Sequence, residues 1–258
     1  MRTGARCIGF EQSTAILEDG ERVEADVLVG ADGIASAIRQ ALHGKAAPVY
    51  AGYTCWRGIC RDDGSLPDGS AILAVGHGMQ CGIWHCGEGQ IYWFVTKNAP
   101  EGTAGGKAEV LALCRNWAPP IPGVVESTPS DSIIQNDILD RPPLRKWGLG
   151  RATLLGDAAH AATPNLGQGA CQALEDAVVL AHCLRAEQPV DAALRAYERL
   201  RIPRTAAIVN NSRRTGRILQ LDQPALEWLR NSVSASPLGR RMERRLFRQL
   251  LFYPLPKL

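Results

Sequence analysis

Residues 152–169 read Ala152-Thr-Leu-Leu-Gly-Asp-Ala-Ala-His-Ala-Ala-Thr-Pro-Asn-Leu-Gly-Gln-Gly169. The first four form a brief apolar run of the kind that interior strands of a parallel sheet show. Gly156-Asp157 then leaves the strand, and a loop of small residues leads into a helix expected over 169–185. A carboxylate at the carboxyl end of such a strand lies in the crevice where α/β sheets hold ligands, and it can accept hydrogen bonds from sugar or polyol hydroxyls. Gly167 and Gly169 leave the first helical N–H groups uncovered, and a helix N-terminus carries about half a positive charge. That end suits an anionic, planar electron acceptor. Pro164 stiffens the approach.

Working back from this stretch, Asp26-Val-Leu-Val-Gly-Ala-Asp-Gly33 is a unit of the same physical kind. A short strand over 26–30 runs into Asp32-Gly33, and a helix is expected from Ser36 to about Leu42 with Ala37, Ile38, Ala41 and Leu42 on its apolar side. Taken singly, each Asp–Gly pairing is also an ordinary turn signal. Between the two units the texture changes. Residues 71–75, 79–85 and 90–96 read as strands separated by Gly-rich turns, 109–117 as a helix and 132–138 as another strand. Pro142-Pro143 closes this sheet-rich insert. Trp84, His85, Tyr92 and Trp93 could give it an aromatic wall, although alternation sends half of them into the core. Beyond residue 185, a helical stretch over 191–221 should kink or break at Pro203. Pro224 starts a helical tail.

Composition narrows the classes. The chain has 258 residues, enough for one large core or two modest domains, and a net charge of only +3, too slight for a nucleic-acid-binding field. No apolar run reaches membrane-spanning length, and the N-terminus is no signal peptide. The eight cysteines therefore read as reduced thiols of a cytoplasmic protein. Cys81 and Cys86 sit an odd number apart on a strand, which sends them to opposite faces, so we expect no metal site. Arg240, Arg241, Arg244, Arg245 and Arg248 crowd one segment. A basic amphipathic helix can lie on an acidic membrane, but we read this one as docked on the core with a solvated arginine face.

The motifs together carry a resemblance. Gly156-Asp157, His160, Pro164 and Gly167-Gln-Gly169, continuing to Glu175-Asp176, resemble the second FAD fingerprint of the FAD-dependent aromatic-ring hydroxylases, the group A flavoprotein monooxygenases. The run from Asp26 through Asp32-Gly33 to Ser36 and Arg39 is similar to that family's Asp–Gly motif. Tyr53-Thr-Cys-Trp-Arg-Gly58 resembles the entry to the substrate domain in the branch of salicylate- and urate-type hydroxylases and zeaxanthin epoxidases. The similarity runs in order from about residue 20 to 210.

The resemblance implies an α/β fold: an incomplete FAD-binding Rossmann-like domain with an inserted mixed β-sheet substrate domain and a helical C-terminus. Its parts would be residues 1–46, 47–140 for the insert, 141–222 for the returning segment and 223–258 for the tail. It implies FAD as cofactor, NAD(P)H as reductant, and hydroxylation of a small aromatic or similarly electron-rich substrate by O2 through a flavin hydroperoxide. By the same resemblance Asp157 would meet the ribityl chain, Gly167, Gln168 and Gly169 would face the isoalloxazine ring, Asp32 and Gly33 would lie near the pyrophosphate and help couple FAD to NAD(P)H binding, and Gly156 and Pro164 would be further cofactor-binding residues. Arg39 would support them, and His160 is read as a packed, hydrogen-bonded residue. No catalytic base is assigned. The family's frequent Asn early in the helix is replaced here by Ala170 and Cys171.

The family's opening G-x-G-x-x-G unit is not found in these 258 residues. Met1 is therefore expected to be an internal methionine of a longer protein or the start of a shortened frame. The chain alone is expected to bind FAD weakly or not at all and to aggregate. The competing readings are a non-catalytic remnant, or another flavoenzyme such as a reductase or halogenase; no lysine-bearing halogenase motif is found.

Overall fold

The computed structural model describes residues 2–11, 14–185 and 189–254. The elements run, in chain order, β1 (Cys7–Glu11), β2 (Thr14–Leu17), β3 (Arg22–Val23), β4 (Leu28–Gly30) and α1 (Ala37–His43). Then come β5 (Val49–Arg61), β6 (Ala71–Gly76), β7 (Met79–Gly87), β8 (Gln90–Asn98), α2 (Lys107–Cys114), α3 (Ile121–Ser127) and β9 (Ile134–Asp140). The chain ends with β10 (Ala152–Leu154), α4 (Asp157–His160), α5 (Gly169–Arg185), α6 (Val190–Leu219), α7 (Pro224–Ala235) and α8 (Pro237–Leu251). It divides into two compact units: residues 1–49, 139–215 and 242–258, and residues 50–138 and 216–241. Residues 223–258 are thus shared between the units.

In the first unit, β4 and β10 pair in parallel, with Leu28 opposite Ala152 and Gly30 opposite Leu154. Parallel neighbours this far apart in sequence need long crossovers, and the whole sheet-rich insert lies in this one. β1, β2 and β3 form an antiparallel meander. Ile38 from α1, Leu154, Ala158 and Ala159 from the second turn, and Val179, Leu194 and Tyr197 from the two long helices meet in one core with Trp147.

The second unit holds a five-stranded sheet of order β6-β7-β8-β5-β9. Cys81, Ile83, Ile91, Trp93, Val95 and Trp56 face a core completed by Val110 and Cys114 of α2 and Val124 and Val125 of α3. Cys55 belongs to a separate small cluster with Tyr53 and Ile138, whereas Cys60 lies in the main core, so these two thiols point to opposite faces.

Several expectations need correction. The helix runs unbroken through Pro203. A proline removes one N–H, and buried residues on both flanks, among them Tyr197, Arg201, Ile208 and Val209, hold the rest of the helix in place. The helix expected over 109–117 lies at Lys107–Cys114, and the strand expected over 132–138 lies at Ile134–Asp140. The strand β5 and the short helix α3 were not foreseen. Tyr53–Trp56 are four consecutive buried residues, which erases the alternation that marks a half-exposed strand.

Candidate functional site

Both Gly–Asp turns stand at the carboxyl ends of paired strands. Leu155 N–H donates to the Gly30 carbonyl at 2.9 Å, so the chain leaves the sheet at matching levels in β4 and β10. A Cβ on Gly30 would lie 2.7 Å from Ile38 Cβ and 2.8 Å from Leu154 Cδ2. Only glycine lets α1 approach this closely.

Asp32 is exposed, and its Oδ2 accepts from the amides of Ala37 at 2.7 Å and Ile38 at 3.3 Å. One carboxylate oxygen thus anchors the start of α1, with Ser36 Oγ accepting from Arg39 N–H at 2.8 Å beside it. Gly33 takes φ +76°, a conformation that favours glycine. Arg39 is buried and donates through Nη1 to the carbonyls of Ala158 at 2.9 Å and Ala159 at 3.0 Å. It therefore ties the first turn to the second through the backbone of α4. Burial, with the positive charge of Arg141 second, pushes its guanidinium down to about 10.

In the second turn Gly156 has φ +62° and Asp157 is exposed, whereas Ala158, Ala159 and His160 behind it are buried. Among the described residues, the Asp157 carboxylate has no protein partner. Beneath it lies a buried polar network. Asp176 Oδ2 accepts from Gly156 N–H at 3.0 Å and stands 2.6 Å from His160 Nε2; its Oδ1 accepts from Arg201 Nε at 2.7 Å. Arg201 also donates to Glu175 at 2.6 Å and to Gln172 Oε1 at 2.9 Å. Each buried charge has an opposite charge and hydrogen bonds, which is what burial demands. His160 is packed against Trp147, with ring centroids 5.5 Å apart.

The loop beyond α4 is pinned at Thr163, whose Oγ1 donates to Ser212 Oγ at 3.0 Å. A 3-10 turn over Pro164–Leu166 follows, and Gly167 ends it in the left-handed region at φ +62°. Gln172 N–H donates to the Gln168 carbonyl, which starts α5; the amides of Gly169, Ala170 and Cys171 have no acceptor among the described residues. Pro164 and Gly167 are exposed, Gln168 and Gly169 half-buried.

The structure thus brings Asp32, Gly33 and Arg39 together with Gly156 and Asp157 through strand pairing and the Arg39 bonds. Pro164 and Gly167–Gly169 follow along a loop held by Thr163 and by the Gln172–Arg201 contact. Sequence reasoning missed Arg141, whose Nε and Nη1 donate to the carbonyls of Ile34 and Ala46 at 2.8 Å each and fasten the segment after Gly33. It also missed Asp140, held by Arg213 through two bonds of 2.7 Å, and the partnership of Asp176 with Arg201. The run Glu175-Asp176 was visible, but its arginine lies on another helix.

In the second unit the aromatic set divides. Trp93 is fully buried and donates from Nε1 to Thr128 Oγ1 at 2.8 Å, and His85 Nε2 lies 3.1 Å from Asp62 Oδ2. Trp84 and Tyr92 are a cross-strand pair on the opposite face, which they share with Phe94.

The model of the family described as "FAD binding domain" matches residues 10–212. The chain is 43% identical over 259 residues to the aurachin C monooxygenase/isomerase of Stigmatella aurantiaca, covering 98% of this chain and 68% of that one. The chain belongs to the group A flavoprotein monooxygenases. Among other members, the chloroplastic zeaxanthin epoxidase of Oryza sativa subsp. japonica is 38% identical over 76% of this chain but only 32% of its own length. Klebsiella pneumoniae HpxO, solved with FAD and uric acid, superposes with a TM-score of 0.88 at 31% identity, covering 98% of this chain and 68% of that one. A salicylate hydroxylase substrate complex shares the fold, with a TM-score of 0.78 at 22% identity.

Residues of this monooxygenase fit the family's cofactor. The unpartnered Asp157 carboxylate offers acceptors for hydroxyls, and the bare amides at the start of α5 offer donors for a charge-bearing ring. Gly167 has open space where a Cβ would stand, so a planar group can approach its backbone.

Proposed function

We propose that this protein hydroxylates a small aromatic or similarly electron-rich molecule with NAD(P)H and O2. Asp157 and Gly167–Gly169 would be its main cofactor contacts, and Asp32, Gly33, Gly156 and Pro164 supporting ones. When bound, FAD supplies the redox chemistry, taking electrons from NAD(P)H and activating oxygen. Substrate–H, NAD(P)H, H+ and O2 would give substrate–OH, NAD(P)+ and H2O.

The chain's own residues bind and orient. Asp157 accepts hydrogen bonds from the polyol arm. The amides of Gly169, Ala170 and Cys171, at the positive end of a 17-residue helix, stabilise negative charge on the ring. Arg39 acts through the backbone of α4, and the buried Asp176 network sets the position of Gly156. No side chain is needed as a nucleophile. The observation that carries this reading is the Asp157 carboxylate, left exposed and unpaired above a fully partnered buried network. Among the described residues, no helix is long and apolar enough to cross a membrane. The cysteines are thiols rather than disulfides among the described residues, which supports our reading of a cytoplasmic protein.

The test is incubation of the full chain with FAD, NADH or NADPH, labelled molecular oxygen and a panel of aromatic acids and heterocycles. Incorporation of one labelled oxygen atom into a product is expected. NAD(P)H oxidation by the flavin-loaded protein with peroxide as the sole product from every compound would overturn the reading.

A further inference from the structure

A surface helix of a globular protein turns its apolar stripe inward and its charges outward. The helix α7 does the reverse. Of its 12 residues only Arg230 is buried and only Glu227 half-buried. Arg230 donates from Nη1 to the Leu219 carbonyl at 3.2 Å, and Glu227 Oε1 pairs with His77 Nδ1 at 2.5 Å. The helix is thus held to its unit through polar groups. Leu226, Leu229 and Val233 recur at i, i+3 and i+7, the spacing of a packing stripe, yet all three are exposed. Leu229 is 51% exposed and Trp228 70%.

The chain continues through Ser236 into α8, whose first residues belong to the same compact unit as α7. Gly239 lets the two helices meet closely, because a Cβ there would collide with the Val233 carbonyl. The sequence suggests a helix docked on the core with a solvated arginine face. Only the C-terminal half of α8 fits that reading: Leu250 is buried and Leu246 half-buried, whereas Leu238 is 63% and Met242 58% exposed.

Arg241, Arg244, Arg245 and Arg248, at i, i+3, i+4 and i+7, share one side of α8, next to Leu238 and Met242. All four are exposed, as is Arg240, which donates to the Ala235 carbonyl at 2.6 Å. Among the described residues none of the five has a carboxylate partner. Residues 224–251 hold six arginines and two glutamates, a net charge of +4 against +3 for the whole chain, which leaves −1 for all the rest. The positive field of the protein is therefore concentrated on these two helices.

Outward leucines and a tryptophan beside an arginine row are the two features of a helix that lies on a membrane: apolar side chains that enter the acyl boundary and cations that meet lipid phosphates. Charge decides between occupants. A second copy would bring the same arginines against these, or a remainder of net charge −1. A nucleic acid would take the arginines and leave the leucines in water. We propose that α7 and the start of α8 bind the surface of an anionic phospholipid membrane. Leu226, Trp228 and Leu229 enter the headgroup layer, and Arg240 and Arg241 meet its phosphates, with the later arginines of α8 continuing the row.

The test is flotation of the full chain, supplied with FAD, on vesicles of phosphatidylglycerol and phosphatidylcholine in equal parts, with pure phosphatidylcholine vesicles alongside. Bound protein floats and aggregated protein sinks, so the two are told apart. The wild type should bind the mixed vesicles at least about tenfold more strongly than the neutral ones, and the preference should fade towards about 1 M salt, where the screening length falls to about 3 Å. Arg241→Glu, which shifts the charge by two, should bind the mixed vesicles about ten- to thirtyfold more weakly. The double variant Trp228→Gln, Leu229→Gln, which leaves the charge alone, should bind them at least about fivefold more weakly. All three side chains are exposed, so circular dichroism should not change. A wild type that floats with neither vesicle, or equally with both, would overturn the proposal. An unchanged Arg241→Glu would do the same. So would an unchanged double variant, which would mark an ionic site for an acidic protein. A chain that ignores vesicles, elutes as a dimer and becomes a monomer in the double variant would assign the face to a second copy instead.

Discussion

Arg201 is fully buried, and its charge is spent on Asp176 and Glu175 rather than on solvent. Removing one partner of a buried pair strands the other. Arg201→Met should therefore cost about 3–5 kcal/mol, read from urea denaturation midpoints. Thiol chemistry gives a second residue-scale outcome. Burial pushes the Cys55 and Cys114 thiols up to about 11, so near pH 8 they stay protonated and unreactive. Brief alkylation of the native protein should mark the exposed Cys86 and Cys171 and spare Cys55, Cys60, Cys81 and Cys114, as mass spectrometry of the peptides would show. At this scale the sequence disclosed residues whose role depends on chain neighbours, such as Gly33 and Gly167 in their turns. It hid Arg141 and Arg201, because their partners lie 107 and 25 residues away and no local period reports them.

Among the elements, the approach of α1 to β4 depends on one missing methyl group. Gly30→Ala would force Cβ against Ile38 and Leu154, and overpacking of this kind costs about 1–3 kcal/mol. A thermal melt of the variant measures it; an unchanged midpoint would mean that α1 can withdraw without loss. The short parallel strands were legible because each is an apolar run ending in Gly and Asp. β5 was not, since Tyr53–Trp56 are buried together and show no alternation. Pro203 misled for a related reason. Propensity prices a proline as an exposed helix interior would, whereas α6 is held by packing on both sides of it.

For the whole molecule, the account rests on two turns at the ends of two paired strands and on a helix start that follows them. Their order along the chain was readable from sequence, as was their kinship with a flavoprotein family. The sharing of the last residues between two units was not, because charge and periodicity mark a helix without saying what it packs against. The chain spans 68% of the aurachin C monooxygenase/isomerase and 32% of the rice zeaxanthin epoxidase, so the ratio between two forms of this chain is a sharper measure than its absolute affinity. The decisive measurement is an equilibrium titration of the full chain with FAD, carried to millimolar flavin, for wild type and Asp157→Ala. The account predicts saturable binding by the wild type and a dissociation constant at least about tenfold higher in the variant, with no change in thermal midpoint. Equal affinities in the two proteins would contradict it.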